Sequence, residues 1–533
     1  MLRTIPAAFV LGATICLSPS AHALFLNPQG IGQVLVFPYY TINGSNATLI
    51  SLVNTSVHGK ALKVRFHEGY DGREVLQFNV YLAPLDSWVA EVADRTGSAA
   101  GPASLFTSDT SCTAPSFTPL AAGSMRFLDM TSTSYAGTNP PGSPTGNSDG
   151  GPTTPDRTRE GHFDVIEMGE VIDATRGSLS ALAPNSPGGC AQIQGAWNAS
   201  GYWTANSSVD MSPPGGGIYG SAMIIDVAQG TAYTESPAAI DGFSVVVRHT
   251  SPDSPAPDLD SANQSGSGVV SALVPVSGRM LQLDYVNPID AVSALFMSDS
   301  LDNEFDRDPA LGALTDWVVT APTKRFYVDP AHVGQTAAAP FERAFLATYW
   351  SGSLTSTDGT VLEQWGSAWP YACASVNPLA YDRSGRLYTI GELGAATATT
   401  SASLLPCLET SVLTFATQVT GSGRSPLSVF GSGLVDATDP GDHVSRPYGG
   451  VDSLPPNGVM RLDLAHDAAG NPVSQHRLSA ATNGDVLLGL PVVGFRATNY
   501  VNAGVTPGIL ANYSGLVPLH SSVTCVHGDG PCQ

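Results

Sequence analysis

The chain has 533 residues, of which 23 are Lys or Arg and 45 are Asp or Glu, so its formal net charge is −22 at pH 7. This excess of acid repels phosphate backbones and anionic lipid headgroups, which argues against binding to nucleic acids or directly to a membrane surface. Because 42% of the residues are hydrophobic beside 56 Gly and 40 Pro, the composition excludes a disordered chain and predicts a turn-rich folded protein.

The N-terminal residues 1–23 predict a cleaved signal peptide. Basic Arg3 precedes an apolar stretch over residues 5–17, and Ala21, His22 and Ala23 form a small-residue cleavage site before Leu24. The apolar stretch is shorter than the ~20 residues that span a bilayer, and no later stretch reaches that length. We therefore expect an exported protein without a direct membrane span, at the cell surface or outside the cell, with the periplasm as the alternative.

Alternating apolar residues predict strands at 33–42, 47–56, 60–69, 73–84 and 86–92. Along residues 60–69 the two faces of the strand carry different side chains: Leu62, Val64 and Phe66 on one face, and Lys63, Arg65 and His67 on the other. Residues 70–72 have the composition of a hairpin turn. Strands at this spacing predict an N-terminal immunoglobulin-like β-sandwich over residues 24–130, with Pro38 and Pro84 at edges or bulges.

Residues 131–161 are rich in Pro, Gly and Ser and have almost no aliphatic residues, so they predict a surface loop or linker. Strand-like segments then return at 161–171, 218–227, 242–249, 280–286, 317–328, 459–465 and 487–497. The sequence thus predicts a mainly β protein in which a larger β-rich region, residues 162–533, has long loops and few helices and can pack against the N-terminal domain.

One amphipathic helix is predicted over residues 290–305, where Ala294, Met297, Leu301 and Phe305 form an apolar stripe and Asp290 is placed to cap the first turn.

The end of this segment carries an acidic cluster made of Asp302, Glu304, Asp306 and Asp308. Several carboxylates close together are the ligands that Ca²⁺ prefers, so these four residues form a candidate calcium site. Calcium is the cofactor that the sequence suggests. Arg307 stands where a calcium loop has Gly, and Ala313 stands where it has a bidentate Glu. The competing interpretation is a solvated acidic end of the helix.

Six cysteines follow the signal peptide, and an even number in an exported chain favours three disulfides. Pairing of nearest neighbours would join Cys112 to Cys190, Cys373 to Cys407, and Cys525 to Cys532. No CxxC spacing occurs, so the cysteines do not indicate a zinc ribbon or a redox dithiol.

Several aromatic residues lie in Gly- and Ser-rich surroundings, where exposed rings could stack on sugars and buried rings would fill the core: Tyr39, Tyr40, Trp197, Tyr202, Trp203, Trp365, Trp369 and Tyr371. The N-terminal segment 24–37 could also pair with a neighbouring molecule by strand exchange, or with its own chain. Self-association, other surface proteins and glycans are therefore the partners considered.

Several blocks of the sequence are distinctive: GIGQVLVFPYYTINGSNATLISLVNTS at 30–56, KVRFHEGYDGREVLQFNVYLAPLDSW at 63–88, TDWVVTAPTKRFYVDP at 315–330, GLPVVGFRATNYVNAG at 489–504 and ILANYSGLVPLH at 509–520. In these blocks, which span most of the mature chain, the protein resembles a family of secreted or cell-surface proteins of proteobacteria. The resemblance implies a surface or extracellular location and supplies no catalytic residues.

The sequence lacks the HExxH motif of zinc proteases, and its GxSxG string, GNSDG at 146–150, falls in the stretch predicted as a loop, outside the strand–turn–helix context that this motif has in α/β-hydrolases. We therefore expect a structural or adhesive cell-surface protein and lean against an enzyme. The alternative is a secreted hydrolase acting on polysaccharide through a carboxylate pair that the sequence does not identify.

Overall fold

The structure is a computed structural model. It describes residues 23–98, 101–121, 123–132, 154–184, 186, 188–264, 268–329, 332, 338–341, 374, 376–388, 408–415, 428–434, 455–467, 469–502, 511–528 and 530–532, and the backbone alone at 156, 352–355 and 361–365. The predicted signal peptide, most of the predicted loop at 131–161, and Cys373, Cys407, Trp369 and Tyr371 lie outside the described residues.

The fold is mainly β, as predicted. The strands of the first half are β1 (Phe25–Leu26), β2 (Ile31–Gly32), β3 (Val34–Thr41), β4 (Ala47–Asn54), β5 (Gly59–Glu68), β6 (Glu74–Leu82), β7 (Ser87–Asp94), β8 (Ala103–Thr107), β9 (Cys112–Ala114), β10 (Thr118–Pro119), β11 (Arg126–Asp129), β12 (Glu160–Val171), β13 (Met211–Ser212), β14 (Ile218–Asp226), β15 (Thr231–Glu235) and β16 (Ala238–Asp241). Those of the second half are β17 (Val270–Val276), β18 (Arg279–Tyr285), β19 (Met297–Ser298), β20 (Ser300–Asp306), β21 (Ala313–Thr320), β22 (Gly352–Thr355), β23 (Val361–Trp365), β24 (Asn377–Asp382), β25 (Leu387–Tyr388), β26 (Thr410–Phe415), β27 (Asn457–Asp463), β28 (Asp485–Leu487), β29 (Leu490–Pro491), β30 (Val493–Tyr500), β31 (Tyr513–Pro518), β32 (His520–Ser522), β33 (Cys525–His527) and β34 (Gly530–Pro531).

The helices of the described chain are short. They are α1 (Ser178–Ala181), α2 (Gly189–Gly195), α3 (Tyr202–Ala205), α4 (Pro288–Ala294) and α5 (Arg325–Val328), with 3-10 turns at Asn43–Ser45, Pro155–Arg159 and Leu259–Ser261.

Two antiparallel sheets of eight strands form the N-terminal part. The first sheet has the order β1-β16-β3-β12-β5-β6-β9, with β13 beside β12, and the second has the order β10-β11-β8-β7-β4-β14-β15, with β2 beside β14. A shared apolar core that includes Phe37, Phe66 and Phe163 of the first sheet and Leu52 and Trp88 of the second joins their inner faces, so the two sheets form a sandwich.

The sandwich does not end at residue 130. Strand β12 lies between β3 and β5 in the first sheet, and β14 lies beside β4 in the second. The predicted boundary is corrected accordingly: the sandwich extends to Asp241, and residues 160–161, predicted as the end of the linker, begin a central strand. The reason is that both strands pair with partners far away in sequence, which local patterns do not reveal.

Both faces of the first sheet are covered. The second sheet covers one face, and residues of the C-terminal half, among them Ala272, Val292 and Phe326, pack in one core with Val34 and Ile166 on the other. Every residue of β5 is therefore buried, including the polar face that alternation predicted for Lys63, Arg65 and His67.

The C-terminal half consists of smaller antiparallel sheets. The largest are a five-stranded sheet in the order β25-β24-β27-β20-β32 and a four-stranded sheet in the order β26-β21-β30-β31. The Thr320 hydroxyl at the end of β21 donates to the carbonyl of Pro38 at 2.6 Å, so this half contacts β3 directly.

The predicted helix over 290–305 is wrong in length. Helix α4 ends at Ala294, and β19 and β20 follow at once. Leu301 and Phe305 are buried, as the helical stripe required, but they reach the core from an extended strand. A spacing of four residues fits a strand as well as a helix, because every second residue of a strand shares a face.

Pro38 occupies a bulge, as predicted. The register between β12 and β3 shifts between Gly161 and Phe163, opposite Pro38, so the missing N–H falls where the ladder is already interrupted. Strands β1 and β3 of the N-terminal segment pair with β16 of the same chain, which is the intrachain alternative to strand exchange.

Candidate functional site

The predicted acidic cluster lies on β20 and the turn after it. Asp302 makes a two-pronged ion pair with Arg461 on β27, at 2.8 and 3.0 Å, and the carboxylate of Glu304 lies 2.6 Å from Arg496. Within the described residues these four carboxylates are not gathered into a set of converging ligands. Arginines thus neutralise two of the four groups assigned to calcium.

The second pair of acids caps the turn after β20. Asp306 accepts from the backbone N–H of Asp308 at 3.0 Å, and Asp308 accepts from that of Ala310 at 2.9 Å. These bonds are typical of turns in which an Asp side chain accepts from the backbone N–H two residues further on.

Two of the three predicted disulfides are present, between Cys112 and Cys190 and between Cys525 and Cys532. The first fastens α2 to β9 at the edge of the first sheet. The second joins two residues that face each other across the C-terminal hairpin. In the described residues, one group of side chains has the composition and spacing of a metal site, and it consists of these two sulfurs and Asp485. Because the two sulfurs are bonded to each other, they offer no thiolate to a metal.

Of the five predicted sugar-binding aromatic residues whose side chains the structure describes, three are internal, and Trp197 and Tyr202 are half-buried. Tyr39, Tyr40 and Trp203 are at most 1% exposed. The ring of Trp203 stacks on Tyr81, and its indole N–H donates to the carbonyl of Val209 at 2.8 Å. These residues therefore serve the core of the protein.

Histidines and acids from β5 and β12 form a cluster on the first sheet that the sequence did not single out. His67 and His162 are directly opposite each other in the register of the two strands, and their rings stack at 4.8 Å. The Nε2 atom of His67 lies 2.8 Å from Oδ2 of Asp164, and its Nδ1 lies 3.0 Å from the carbonyl of Gly72. We call His67, His162 and Asp164, together with Glu68, Arg157 and Glu409, the buried ionic cluster.

Arg157 is the cation that anchors the turn side of this cluster. Its guanidinium lies 3.0 Å from Glu68, contacts Asp71, and is fully enclosed with both acids. Burial alone would raise the pKa of Glu68, but the charge and hydrogen bonds of Arg157 lower it to about 2. Arg157 and Glu68 therefore form a charged internal pair.

The remaining members respond mainly to burial. Loss of water lowers the pKa values of His67 and His162 and raises those of Asp164 and Glu409. The two rings therefore stack as neutral imidazoles at pH 7. A single proton between His67 and Asp164 satisfies their short contact.

The C-terminal half closes over this cluster. The N–H of Glu409 donates to the carbonyl of Tyr70 at 2.7 Å, and that of Thr410 donates to Gly69 at 2.9 Å. Beside the cluster, Lys324 and Glu409 border a small cavity of about 30 Å³ whose other lining residues, apart from Ser411, are apolar, with Phe341 and Leu413 among them. Each side chain of the cluster is at most 4% exposed, so its acid and base groups join the two halves of the protein and do not face solvent.

An open surface lies on the outer face of the second sheet. The register places Met223, Leu49, Glu91, Phe106 and Phe127 side by side in one row across β14, β4, β7, β8 and β11. A groove of about 370 Å³ runs over this row. We call it the outer groove.

The outer groove is apolar and accessible. Val89 is 47% exposed and Met223 is 36% exposed, and of the twelve residues that line the groove only Glu91 is charged. Strand β4 alternates between buried and half-buried residues, so the sequence signal for this face was an alternation in which both sets of residues are largely apolar.

Comparison with known protein families, curated proteins and solved structures finds no match to this chain. No helix in the described part of the chain combines the length and the apolar character that crossing a membrane requires.

Proposed function

We propose that the protein is an exported structural or adhesive component of the cell surface, and that it associates with a second copy of itself through the outer groove. The export and location rest on the signal-like N-terminus and on the resemblance to secreted proteobacterial proteins. The association rests on one observation, the partly exposed row across five strands of the second sheet, which is apolar except for Glu91.

Exposed apolar surface of this kind marks a site of interaction, because contact with a partner removes it from water. The groove lies on regular strands, so its shape is fixed before the partner arrives and little ordering opposes association. Its aliphatic and thioether side chains, Leu49, Val89 and Met223 among them, suit an apolar protein surface, and hydroxyl groups of Ser and Thr at its sides can hydrogen-bond to that partner.

Charge limits where a second copy can bind, and the outer groove meets that limit. The chain carries a net charge of −22, so two copies repel each other wherever their acidic surfaces approach. The outer groove, with Glu91 as its single charged lining residue, is a face where two copies can meet with little such repulsion. A symmetric dimer uses one patch twice, which is the commonest form of self-association.

The alternative, a hydrolase acting on polysaccharide, requires two carboxylates that a sugar chain can reach. The histidine and acid groups of the buried ionic cluster are enclosed. This arrangement supports a scaffold role for the cluster over a catalytic one.

Analytical ultracentrifugation of the full secreted protein tests the proposal. The wild type should form a dimer whose association strengthens when salt screens the net negative charge. Val89→Glu places a charge in the groove and should give a monomer with an unchanged melting temperature. Val286→Glu, at an exposed valine outside the groove (69% exposed), is the matched control and should still dimerise.

A wild type that stays monomeric at every concentration and salt would overturn the association, as would a Val89→Glu variant that dimerises like the wild type. Export is tested separately, by sequencing the N-terminus of the protein recovered outside the cytoplasm. The expected first residue is Leu24, and a chain that stays in the cytoplasm would contradict the location.

A further inference from the structure

A lysine and a glutamate on neighbouring strands of the first sheet form a buried ion pair. The Nζ atom of Lys60 on β5 lies 2.8 Å from Oε1 of Glu167 on β12, and both side chains are fully buried. The same Nζ lies 2.9 Å from Oε1 of Glu170, a carboxylate that is 16% exposed.

A loop of three glycines covers the Glu167 carboxyl group. The N–H of Gly215 donates to its Oε1 at 3.0 Å, and the N–H of Gly216 donates to its Oε2 at 2.7 Å. Each carboxyl oxygen thus has one backbone donor, and the donor to the oxygen that stays can stabilise the negative charge that develops there in a tetrahedral intermediate.

The loop can approach this closely only because it consists of glycine. A Cβ atom on Gly215 would lie 2.3 Å from Oε1 of Glu170 and 3.4 Å from Nζ of Lys60. Gly216 and Gly217 have φ angles of +73° and +86°, which side chains disfavour. The backbone is thus held against the three charged groups.

We propose that Lys60 and Glu167 form an intramolecular isopeptide bond, with Glu170 as the group that transfers the proton. The modification joins β5 to β12 covalently within the first sheet. It does not depend on the proposed self-association.

The reaction is a dehydration that needs no co-reactant. A proton first moves from the Lys60 ammonium to the Glu167 carboxylate, which leaves a neutral amine beside a neutral acid. The amine lone pair then forms the bond from Nζ to Cδ, and Glu170 accepts the proton that nitrogen loses. Glu170 returns that proton to the hydroxyl of Glu167, the bond from Cδ to that oxygen breaks, and one water molecule leaves.

The surroundings favour the neutral form of the Glu167 carboxyl group that this reaction uses. Burial raises the pKa of Glu167 to about 7, although Lys60 and the two glycine N–H groups oppose the shift. Because an isolated charge pair is costly to bury, conversion to a neutral amide removes that cost. Glu170, at the solvent side, can exchange its proton with water.

Lys63 provides a natural comparison on the same strand. It is equally buried, but its Nζ contacts backbone carbonyls, that of Ser251 at 2.7 Å among them, and no contact to a carboxylate is present among the described residues. A carbonyl of the peptide backbone is not an acid that can condense, so Lys63 should keep a free amine.

Mass spectrometry of the full reduced and denatured protein tests the bond. The measured mass of the wild type is expected to be lower, by one water molecule, than the mass calculated from its amino-acid sequence. Trypsin should leave Lys60 uncut and joined to the fragment of residues 160–176, while it cuts after Lys63 as usual. Glu170→Gln keeps a hydrogen-bond acceptor but cannot carry the proton, so it should have the full mass.

A wild type of full mass, with free peptides ending at Lys60 and spanning residues 160–176, would overturn the proposal. This measurement needs no variant, so the result stands even if a substitution prevents folding. Full cross-linking in Glu170→Gln would overturn the role given to Glu170.

Discussion

The imidazole rings of His67 and His162 stack face to face across two central strands, with 4.8 Å between their centroids and 14° between their planes. Neither ring reaches solvent to more than 3%. The two strands belong to the first sheet, which is covered on both faces. The stacked pair lies on the face that the C-terminal half covers.

Acid should destabilise the protein in part through His162. Burial lowers its folded-state pKa below the unfolded value, so the unfolded chain binds more protons below about pH 6.5. The free energy of unfolding therefore falls with falling pH, by up to ~1.4 kcal/mol per pH unit for this group. Denaturant titrations at pH 7 and pH 5 should show a smaller loss in His162→Phe, which keeps a ring against His67 but cannot titrate.

His520→Phe is the control for this experiment, because His520 is exposed on β32. It should reproduce the pH dependence of the wild type. Equal acid sensitivity in the wild type and in His162→Phe would show that His162 does not contribute to the loss.

Removal of Arg157 should be severely destabilising. Arg157→Met leaves Glu68 and Asp71 as buried acids without their cation, and breaking a buried pair costs about 3–5 kcal/mol. Chemical denaturation measures the loss. Arg95→Met is the matched control, because Arg95 pairs with Asp129 at the surface, and its denaturation midpoint should barely move.

Gly72→Ala tests how tightly the β5–β6 turn fits the C-terminal half. Gly72 has φ +70°, and a Cβ atom would lie 2.4 Å from the carboxyl carbon of Glu409. Gly97 has φ +67°, but nothing lies within 4 Å of its added Cβ. Gly97→Ala should therefore cost only the backbone term of about 1–2 kcal/mol, and Gly72→Ala clearly more. Equal thermal shifts in the two variants would contradict the contact.

The two disulfides should differ in their effect on stability. Cys112 and Cys190 are 78 residues apart, whereas Cys525 and Cys532 are 7 apart. A bond that closes a longer loop removes more freedom from the unfolded chain, and loss of a bond of the first kind costs about 2–5 kcal/mol. Paired Cys→Ser variants compared by calorimetry should show the larger loss for the 112–190 pair, and the reverse order would contradict the expectation.

Calcium should not change the thermal stability through the acidic cluster on β20. Asp302 and Glu304 already have arginine partners, so binding an ion there would first require breaking these pairs. The melting temperature is expected to be equal in calcium and in chelator. If calcium raised the melting temperature of the wild type and Asp306→Asn abolished this rise, the prediction of a calcium site would be restored.

The sequence predicted what local alternation determines. The β5–β6 hairpin and the apolar face formed by Leu62, Val64 and Phe66 are confirmed. They could be predicted because a period of two residues is visible in the local sequence. The burial of Lys63 and His67 was not predictable in this way, since it depends on segments that return from far along the chain, such as Ser251, which lies 188 residues after Lys63.

The same limit applies to the candidate sites. The spacing of the acidic cluster in the sequence predicted a calcium site. Its actual partners, Arg461 and Arg496, come from strands about 160 and 190 residues further along. Lys60 and Glu167 meet only because β12 inserts beside β5. Neither residue is part of a sequence motif from which the contact could have been predicted.

The insertion of β12, β14 and β16 among earlier strands also sets an order of events for a chain that emerges from its N-terminus, whether from a ribosome or from a translocation channel. The first 130 residues lack the strand that separates β3 from β5, so the first sheet is incomplete until residue 241 has emerged and the second until residue 235. Contacts between residues so far apart in sequence form slowly. The emerging chain therefore exposes unpaired strand edges, which favour aggregation, for nearly half of its length.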